Sequence, residues 1–237
     1  MFSVNLSKYG IAASKFSLHI NSKTHAALHE ILSSTINKIS KILGNNLKLK
    51  TFNAGRLGAD NYTIARTTIN SVEYLLKKGL TDIFVVVGWT SMTREPIFIY
   101  KEDKKTFHLT QARPHSGGVD FLYEQSSIFE DKFILLIFML QEYLTKKGLN
   151  FLFFNAFDRF DNFETNTYKH LIDTTKWVNN DVRPGHFKEF ILAQNNLKDW
   201  HDSEYFITSH PRDIAHIQWG NYLTTYIKEN ESKTYNI

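Results

Sequence analysis

The sequence predicts an α/β fold in which helices alternate with the strands of a mainly parallel sheet. Two segments support this prediction, because each joins a lysine-containing helix end and a glycine to a continuously apolar strand. Gly79 precedes the strand at Ile83–Val87, and Gly148 precedes the strand at Phe151–Phe154. Lysine suits the negative end of a helix dipole, and glycine suits the left-handed residue after a helix. A short apolar run without alternation is typical of a parallel strand buried on both faces.

The other elements follow in chain order. Apolar residues at three- and four-residue steps predict a helix over Thr24–Leu43 that stops at Gly44. The remaining predicted elements are strands at Tyr9–Ala13 and Leu47–Phe52 and helices at Asn61–Lys78, Ser126–Lys147 and Asp213–Lys228. Right-handed crossovers between such strands predict a three-layer α/β/α sandwich around a flavodoxin-like, doubly wound sheet.

The chain is predicted to form a single domain over residues 1–237, with two insertions. The first, near residues 97–120, contains a predicted hairpin of Ile97–Tyr100 and Phe107–Leu109. The second, near residues 156–186, is rich in aromatic and polar side chains. Both insertions follow strands, so we expect them to cover a site at the end of the sheet.

Composition limits the class of protein. The 237 residues are 42% hydrophobic and include no cysteine, which permits a sizeable core and excludes disulfides and thiolate metal sites. No stretch reaches the roughly 18 apolar residues that a membrane helix needs, and the N-terminus lacks the order of a signal peptide. We therefore expect a cytoplasmic protein with no membrane partner. The net charge of +4 is scattered along the chain, which gives little support for nucleic-acid binding.

No metal and no cofactor are expected. His25 and His29 share a predicted helix face, but Glu30 is not placed as in the His-Glu-x-x-His zinc motif. The sequence contains neither a phosphate-binding loop nor a dinucleotide fingerprint. It also carries no signal for an oligomeric state.

Polar residues gather in four segments, three of which follow predicted strands and one of which precedes the last helix. Ligands of open parallel sheets bind at the carboxyl ends of the strands. The segments are residues 12–17, 53–61, 88–95 and 209–219. We therefore expect a small polar site built from these segments.

The order of motifs in these segments resembles the SGNH/GDSL hydrolase superfamily, and most closely its divergent phage and bacterial members. The motifs are, in chain order, Gly58-Ala59-Asp60-Asn61, Arg66-Thr67-Thr68, Trp89-Thr90-Ser91, Arg94-Glu95, His210-Pro211, His216 and Trp219. The likeness spans nearly the whole chain in the same order as in the family.

This resemblance implies a serine hydrolase, an esterase or deacylase, whose substrate is a small-molecule ester or an acylated carbohydrate. In that chemistry a serine attacks the ester carbonyl and a histidine removes the proton of the serine. By position, Ser14 would be the nucleophile and His210 the base. The residues implied to bind the oxyanion or the substrate are Gly58, Asn61 and Thr90.

Departures from the family motifs leave other interpretations open. Ala12-Ala13 replaces the Gly-Asp turn before Ser14, and Thr90 falls near the position of the asparagine donor of the family. The usual acid before the histidine is missing; Asp202 could supply an acid from further back, and Asp213 lies three residues after His210. Without such a carboxylate a serine–histidine pair loses several orders of magnitude in rate. The alternative function is therefore a catalytically inactive SGNH-like protein that binds a glycan or a protein partner. A weaker alternative is nucleic-acid stacking by the aromatic insertion.

Each candidate also has a purely structural interpretation. Ser14 could cap a turn, Gly58 could be a plain turn glycine, and His210 could bind only backbone. His216 and Trp219 lie three residues apart on a predicted helix, so we expect them to pack in the core.

Overall fold

The structure, a computed structural model, describes residues 9–13, 38–55, 59–92, 96–101, 106–111, 126–156, 163–180, 186–198, 204–207 and 210–234. Its strands are β1 (Tyr9–Ala13), β2 (Lys50–Asn53), β3 (Ile83–Trp89), β4 (Pro96–Lys101), β5 (Thr106–Gln111), β6 (Asn150–Asn155), β7 (Phe206–Ile207) and β8 (His210–Pro211). Its helices are α1 (described over residues 38–47), α2 (Asn61–Lys77), α3 (Ser126–Lys146), α4 (His186–Gln194) and α5 (Asp213–Thr234). Short 3-10 turns occupy Phe163–Thr165, Lys169–Leu171, Thr174–Lys176 and Val178–Asn180.

Four of the strands form a parallel sheet in the order β2-β1-β3-β6. The register pairs Ala12 with Asn53, Ala13 with Val87, and Trp89 with Asn155. The carboxyl ends of all four strands therefore meet at one edge, which we call the carboxyl edge. The prediction of an α/β chain with a parallel sheet is confirmed.

Alternate side chains of the central strands enter two separate buried clusters. Val85 and Val87 of β3 join a cluster shared with α2 and α3. Phe84 and Val86 join a second cluster, shared with α1, α4 and α5. Successive side chains of a strand point to opposite faces of its sheet. The apolar run of β3 has no polar position because both of its faces are buried.

Two of the three glycines that predict helix ends, Gly79 and Gly148, are confirmed in that role. Gly79 and Gly148 both adopt left-handed backbone, with φ values of 78° and 66°. After α2, the N–H of Leu80 donates to the carbonyl of Leu75 at 3.1 Å, and the N–H of Gly79 donates to that of Leu76 at 2.9 Å. The same pair of bonds closes α3. These bonds satisfy carbonyls that have no partner within the helix.

The predicted helix stop at Gly44 is wrong, and so is the predicted strand start at Leu47. Helix α1 runs through residue 47, and Lys48 takes the left-handed position with a φ of 57°. A Cβ on Gly44 would lie 2.6 Å from Cγ2 of Thr51 and 2.9 Å from the carbonyl oxygen of Leu49. This glycine therefore permits the close approach of β2 to the helix. Residues 24–37 of the predicted helix lie outside the described residues.

The predicted hairpin is confirmed, since β4 and β5 pair antiparallel with Ile97 opposite Thr110 and Tyr100 opposite Phe107. The antiparallel pair β7-β8 and helix α4 were not predicted. The β7-β8 pair has only two residues on each strand, too few to show a periodic pattern.

The 3-10 turns of residues 163–180, which we call the turn segment, lie within the second predicted insertion. Trp177 is fully buried and forms a parallel bridge with Phe153 of β6. The side chain of Gln141 on α3 donates to the carbonyl of Leu171 at 3.1 Å and accepts from the N–H of Asp173 at 2.8 Å. From α5, the hydroxyl of Tyr226 donates to the carbonyl of Trp177 at 3.2 Å. The segment is thus attached to the sheet and to two helices.

None of the helices in the described ranges combines the length and the apolar character needed to cross a membrane.

Candidate functional site

The carboxyl edge carries buried polar side chains next to the apolar core. Thr90 directly follows β3, Asn155 ends β6, and Asn61 begins α2. All three side chains are buried. Burying polar groups is costly unless they are paired with one another, with backbone or with a ligand. Their partners therefore indicate what this edge of the sheet can bind.

The first turn of α2 is fixed by Asp60, which is its N-cap. One carboxylate oxygen of Asp60 accepts from the N–H of Thr63 at 2.7 Å, and the other accepts from the Thr63 hydroxyl at 3.0 Å. An N-cap aspartate satisfies an N–H that has no partner within the helix. The next residue, Asn61, is thereby held at the first helical position, facing the segment that follows β3.

Asn61 joins the start of α2 to the end of β3 through its side-chain amide. Its Oδ1 accepts from the N–H of Thr90 at 2.9 Å. Its Nδ2 donates to the carbonyl of Thr90 and to the carbonyl of Ser91, both at 3.1 Å. The structure therefore brings together two residues that the sequence places at the site, Asn61 and Thr90. They are 29 positions apart in the chain.

Thr90 combines a fully paired backbone with an unpaired side chain. Its side chain is only 4% exposed, and its hydroxyl has no hydrogen-bond partner within the part of the chain that the structure describes. A buried donor left without a partner costs about 1–3 kcal/mol. A ligand oxygen at the carboxyl edge would recover that cost, so the hydroxyl is suited to bind one.

Trp89, which precedes Thr90, packs in the core. Its ring makes edge-to-face contacts with Phe133 and Phe153, with centroids 5.7 Å and 5.5 Å apart. Edge-to-face pairs are a favoured aromatic geometry. Trp89 therefore anchors the end of β3, and the chain turns from core to polar edge between Trp89 and Thr90.

His210 lies in β8, where its backbone pairs with Ile207. The chain on either side is fixed by Arg212, whose N–H donates to the carbonyl of Tyr205 at 2.7 Å and whose Nε donates to that of Phe206 at 3.2 Å. Phe206 is fully buried in the second core cluster. The backbone of the candidate base is thus part of an ordered connection into α5.

A series of contacts links the start of α5 to the carboxyl edge. The N–H of Ala156, just after β6, donates to the carbonyl of Trp89 at 2.8 Å. The N–H of Lys188 in α4 donates to the carbonyl of Ala156 at 3.2 Å. Phe187 packs on His216 of α5, with ring centroids 5.2 Å apart. The first turns of α4 and α5 are therefore attached to the sheet edge at which Thr90 lies.

His216 and Trp219 are core residues, as the sequence predicts. Both are fully buried, and Trp219 packs on Phe154 of β6 with centroids 5.2 Å apart. Burial, together with the positive charge of Lys38, lowers the pKa of His216 to about 3. The imidazole is therefore neutral at physiological pH, which fits a packed ring.

Several predicted site residues lie outside the described residues. They are Ser14, Gly58 and Asp202, together with Arg94 and Glu95 of the family-like motif. For His210 the backbone is described and the side chain is not. The geometry of Ser14 with His210 stays a prediction, as do the roles of Gly58 and Asp202. Within the described ranges, no group of acidic residues and histidines has the arrangement of a metal site.

Sequence reasoning missed Asn155. It is buried at the end of β6 and lies opposite Trp89 in the sheet. The signal was present, because an asparagine that directly follows a run of apolar residues marks the point where a strand leaves the core. Asp60 was noted only as part of a motif, and its role as the N-cap of α2 was not predicted.

Comparisons with known proteins give structural likenesses but no sequence match. No protein family and no curated protein sequence matches this chain. Among solved structures, the chain is similar to the acetyl xylan esterase AlAXEase, with a TM-score of 0.45 and 14% identity over 92% of this chain and 99% of that one.

Proposed function

We propose that the protein is an SGNH-type serine hydrolase that cleaves an ester, built as a three-layer α/β/α sandwich over residues 1–237. The observation that carries the proposal is the hydrogen bonding of Asn61 to the backbone of Thr90 and Ser91. It connects two of the segments that resemble the family, and it does so at the edge of the sheet where ligands of such folds bind.

The proposed reaction uses one residue from each segment. The Oγ of Ser14 attacks the ester carbonyl carbon, while the imidazole of His210 takes the proton of the serine. The carbonyl oxygen becomes an oxyanion, which accepts hydrogen bonds from the N–H of Gly58 and the hydroxyl of Thr90. Collapse of this intermediate expels the alcohol, which takes the proton back from His210. Water then releases the acid from Ser14 by the same steps.

Two placements support this assignment. Ser14 directly follows β1, which lies between β2 and β3 in the sheet. His210 precedes α5, whose first turns are attached to the end of β6 through Ala156 and Phe187. Asp202 is the candidate acid for His210. The hydroxyl of Thr90, which has no partner among the described residues, supplies a donor near the position at which the resemblance expects one.

The substrate class comes from the resemblance. We propose an acyl group on a carbohydrate, or a small-molecule ester, with no cofactor. The hydrolysis needs only water as co-substrate, so the residues named above are sufficient for its proton transfers.

Labelling with a fluorophosphonate probe tests the nucleophile directly. Trypsin cleaves after Lys8 and Lys15, and Ser14 is the only serine in the resulting peptide, residues 9–15. Mass spectrometry should find the probe on Ser14 in the parent and not in Ser14→Ala. Labelling elsewhere, or none, contradicts the assignment.

Turnover of p-nitrophenyl acetate and of an acetylated xylo-oligosaccharide tests the reaction. Ser14→Ala and His210→Ala should each lower kcat by about 10³-fold or more. The matched control is His170→Ala, since His170 is exposed in the turn segment and its ring bonds only to the carbonyl of Thr167. An inert parent that still binds the oligosaccharide would overturn the hydrolase and favour the inactive, glycan-binding alternative.

A further inference from the structure

We propose that Asn61 is a positioning residue, which fixes the Thr90 hydroxyl for the ligand and does not itself contact it. The resemblance implies oxyanion or substrate binding for Asn61, so this inference changes its role. The effect of Asn61 on the reaction rate rests on the proposed function. Its effect on the backbone of Thr90 can be tested without any activity.

The hydrogen-bonding capacity of the Asn61 amide supports this role. An asparagine side chain has two N–H donors and one carbonyl acceptor. Both donors are directed to backbone oxygens, those of Thr90 and Ser91, and the acceptor takes the N–H of Thr90. Asn61 therefore has no donor left for a ligand oxyanion unless it releases the backbone of the segment after β3.

The side chain of Asn61 binds the backbone of Thr90 on both sides of its Cα atom. The N–H and the carbonyl of Thr90 are both bonded to the same side chain. Fixing the peptide groups on each side restrains φ and ψ, and so the direction in which Cβ leaves the backbone. Asn61 thus fixes the Cβ atom from which the Thr90 hydroxyl extends.

Asn61 is itself firmly placed. Asp60 caps the helix that carries it, and Ile64 and Ala65 of the following turn are buried in the core cluster shared with β3. Trp89, the last residue of β3 and the one before Thr90, is packed between Phe133 and Phe153. The hydrogen bonds of Asn61 therefore join the capped start of α2 to the packed end of β3.

Placement matters because the Thr90 hydroxyl is buried and forms no hydrogen bond of its own among the described residues. An oxyanion donor must lie about 2.7–3.1 Å from the developing charge. A displacement of about 1 Å can cost about 10²-fold in rate. Loss of Asn61 would therefore act on the reaction through Thr90.

A double-mutant cycle tests this path with p-nitrophenyl acetate as substrate. Thr90→Val and Asn61→Ala should each lower kcat by about 10–10²-fold with little change in KM. The double variant should be no slower than Thr90→Val, because the position of a side chain without a hydroxyl no longer matters. Thr90→Ser should keep most of the rate. Losses that multiply in the double variant would overturn the inference.

Asn195→Ala is the matched control. The amide of Asn195 also bonds within the protein, to the carbonyl of Ile191 at 2.8 Å and to Gln218 at 2.9 Å, at the far end of α4. The control should lose a similar number of hydrogen bonds and keep the parent kcat. A comparable drop in kcat would show that Asn61 acts only through general stability.

Amide hydrogen exchange measured by NMR tests the positioning without any need for activity. Asn61→Ala should speed exchange of the Thr90 N–H by about tenfold or more, the effect of losing one hydrogen bond. Unchanged exchange in Asn61→Ala would overturn the inference. If the parent protein is inactive but the Thr90 N–H exchanges faster in Asn61→Ala, the proposed hydrolase is refuted. Asn61 would still be the residue that positions Thr90.

Discussion

His216 of α5 lies against Phe187 of α4 with ring centroids 5.2 Å apart, and both rings are buried. Burial, aided by the charge of Lys38, lowers the pKa of this histidine to about 3. The folded protein therefore keeps the imidazole neutral at pH values where an unfolded chain protonates it.

The first prediction concerns stability at acid pH. Between about pH 6.5 and pH 3 the unfolded chain binds a proton at His216 that the folded chain does not, so stability falls as the pH falls through this window. At about 1.4 kcal/mol per pH unit, this histidine should cost about 2 kcal/mol between pH 8 and pH 5. Urea denaturation at both pH values measures the loss, which should be smaller by that amount in His216→Phe.

Exposed His170 provides the control for this measurement. His170→Phe makes the same substitution at an exposed position, so it controls for the general effect of replacing a histidine by phenylalanine. If His216→Phe also loses as much as the parent, burial of the neutral imidazole does not contribute to acid sensitivity.

The second prediction concerns Glu73, which ties α2 to α3. Its carboxylate lies 2.6 Å from Nζ of Lys147 and accepts from the hydroxyl of Tyr143 at 2.8 Å. Lys147, and then Tyr143, lower the pKa of Glu73 below its ordinary value. Tyr143→Phe removes one of these bonds to the ionised form, so the pKa of Glu73 should rise. A carboxyl titration by NMR measures it.

Tyr74→Phe is the control for Glu73, because Tyr74 is exposed on the same helix. That substitution should leave the Glu73 titration unchanged. Equal titrations in the parent and in Tyr143→Phe would contradict the assigned bond.

The third prediction concerns Gly88 in the middle of the sheet. A Cβ at this position would lie 2.6 Å from Cζ and 2.9 Å from Cε2 of the Phe154 ring. Overpacking of this kind costs about 1–3 kcal/mol, so Gly88→Ala should lower the free energy of unfolding by that amount. Combining it with Phe154→Leu should cost less than the sum of the two single changes.

Gly148→Ala separates this steric effect from backbone strain. A Cβ at Gly148 meets nothing within 4 Å, but the residue has a φ of 66°. Its cost, about 1 kcal/mol, comes from the left-handed backbone alone, and Phe154→Leu should not relieve it.

The fourth prediction concerns Gln141 and the turn segment. Gln141→Leu removes the bonds to the carbonyl of Leu171 and the N–H of Asp173. Trypsin should then cleave faster after Lys169 or Lys176, both of which lie in the segment. Gln141→Glu keeps the acceptor for Asp173 and should show intermediate cleavage. Cleavage at the parent rate in Gln141→Leu would show that other contacts hold the segment.

Local signals in the sequence explain which parts of the fold could be predicted. Gly79 and Gly148 were identifiable because lysines precede them and apolar strands follow. Gly44 comes at the end of an apolar helical period but lies within a helix, because the reason for a glycine there is the approach of Thr51. A close approach between two elements leaves no mark in the local sequence. The turn segment was missed as structure because 3-10 turns lack a long period.

The location of the site at the carboxyl edge could be predicted from the sequence, but its hydrogen bonds could not. The end of an apolar strand places Thr90 at the carboxyl edge, and a family-like motif draws attention to Asn61. Their hydrogen bonds could not be predicted, since the partners of Asn61 are backbone groups 29 and 30 positions away. A side chain that binds backbone imposes no residue type on its partner, so no pair of residues in the sequence points to the contact.

The bridge between Trp177 and Phe153 also covers part of an outer strand of the sheet. An outer strand of a sheet offers free backbone groups to another chain, and this is a common route to aggregation. Strand β6 is the outer strand on one side of the sheet, and the turn segment already occupies its backbone at Phe153. On the other side, β2 is only four residues long and carries an exposed lysine, Lys50. Both edges of the sheet therefore hinder pairing with a strand of another chain. At β6 the turn segment has this effect because it already pairs with Phe153.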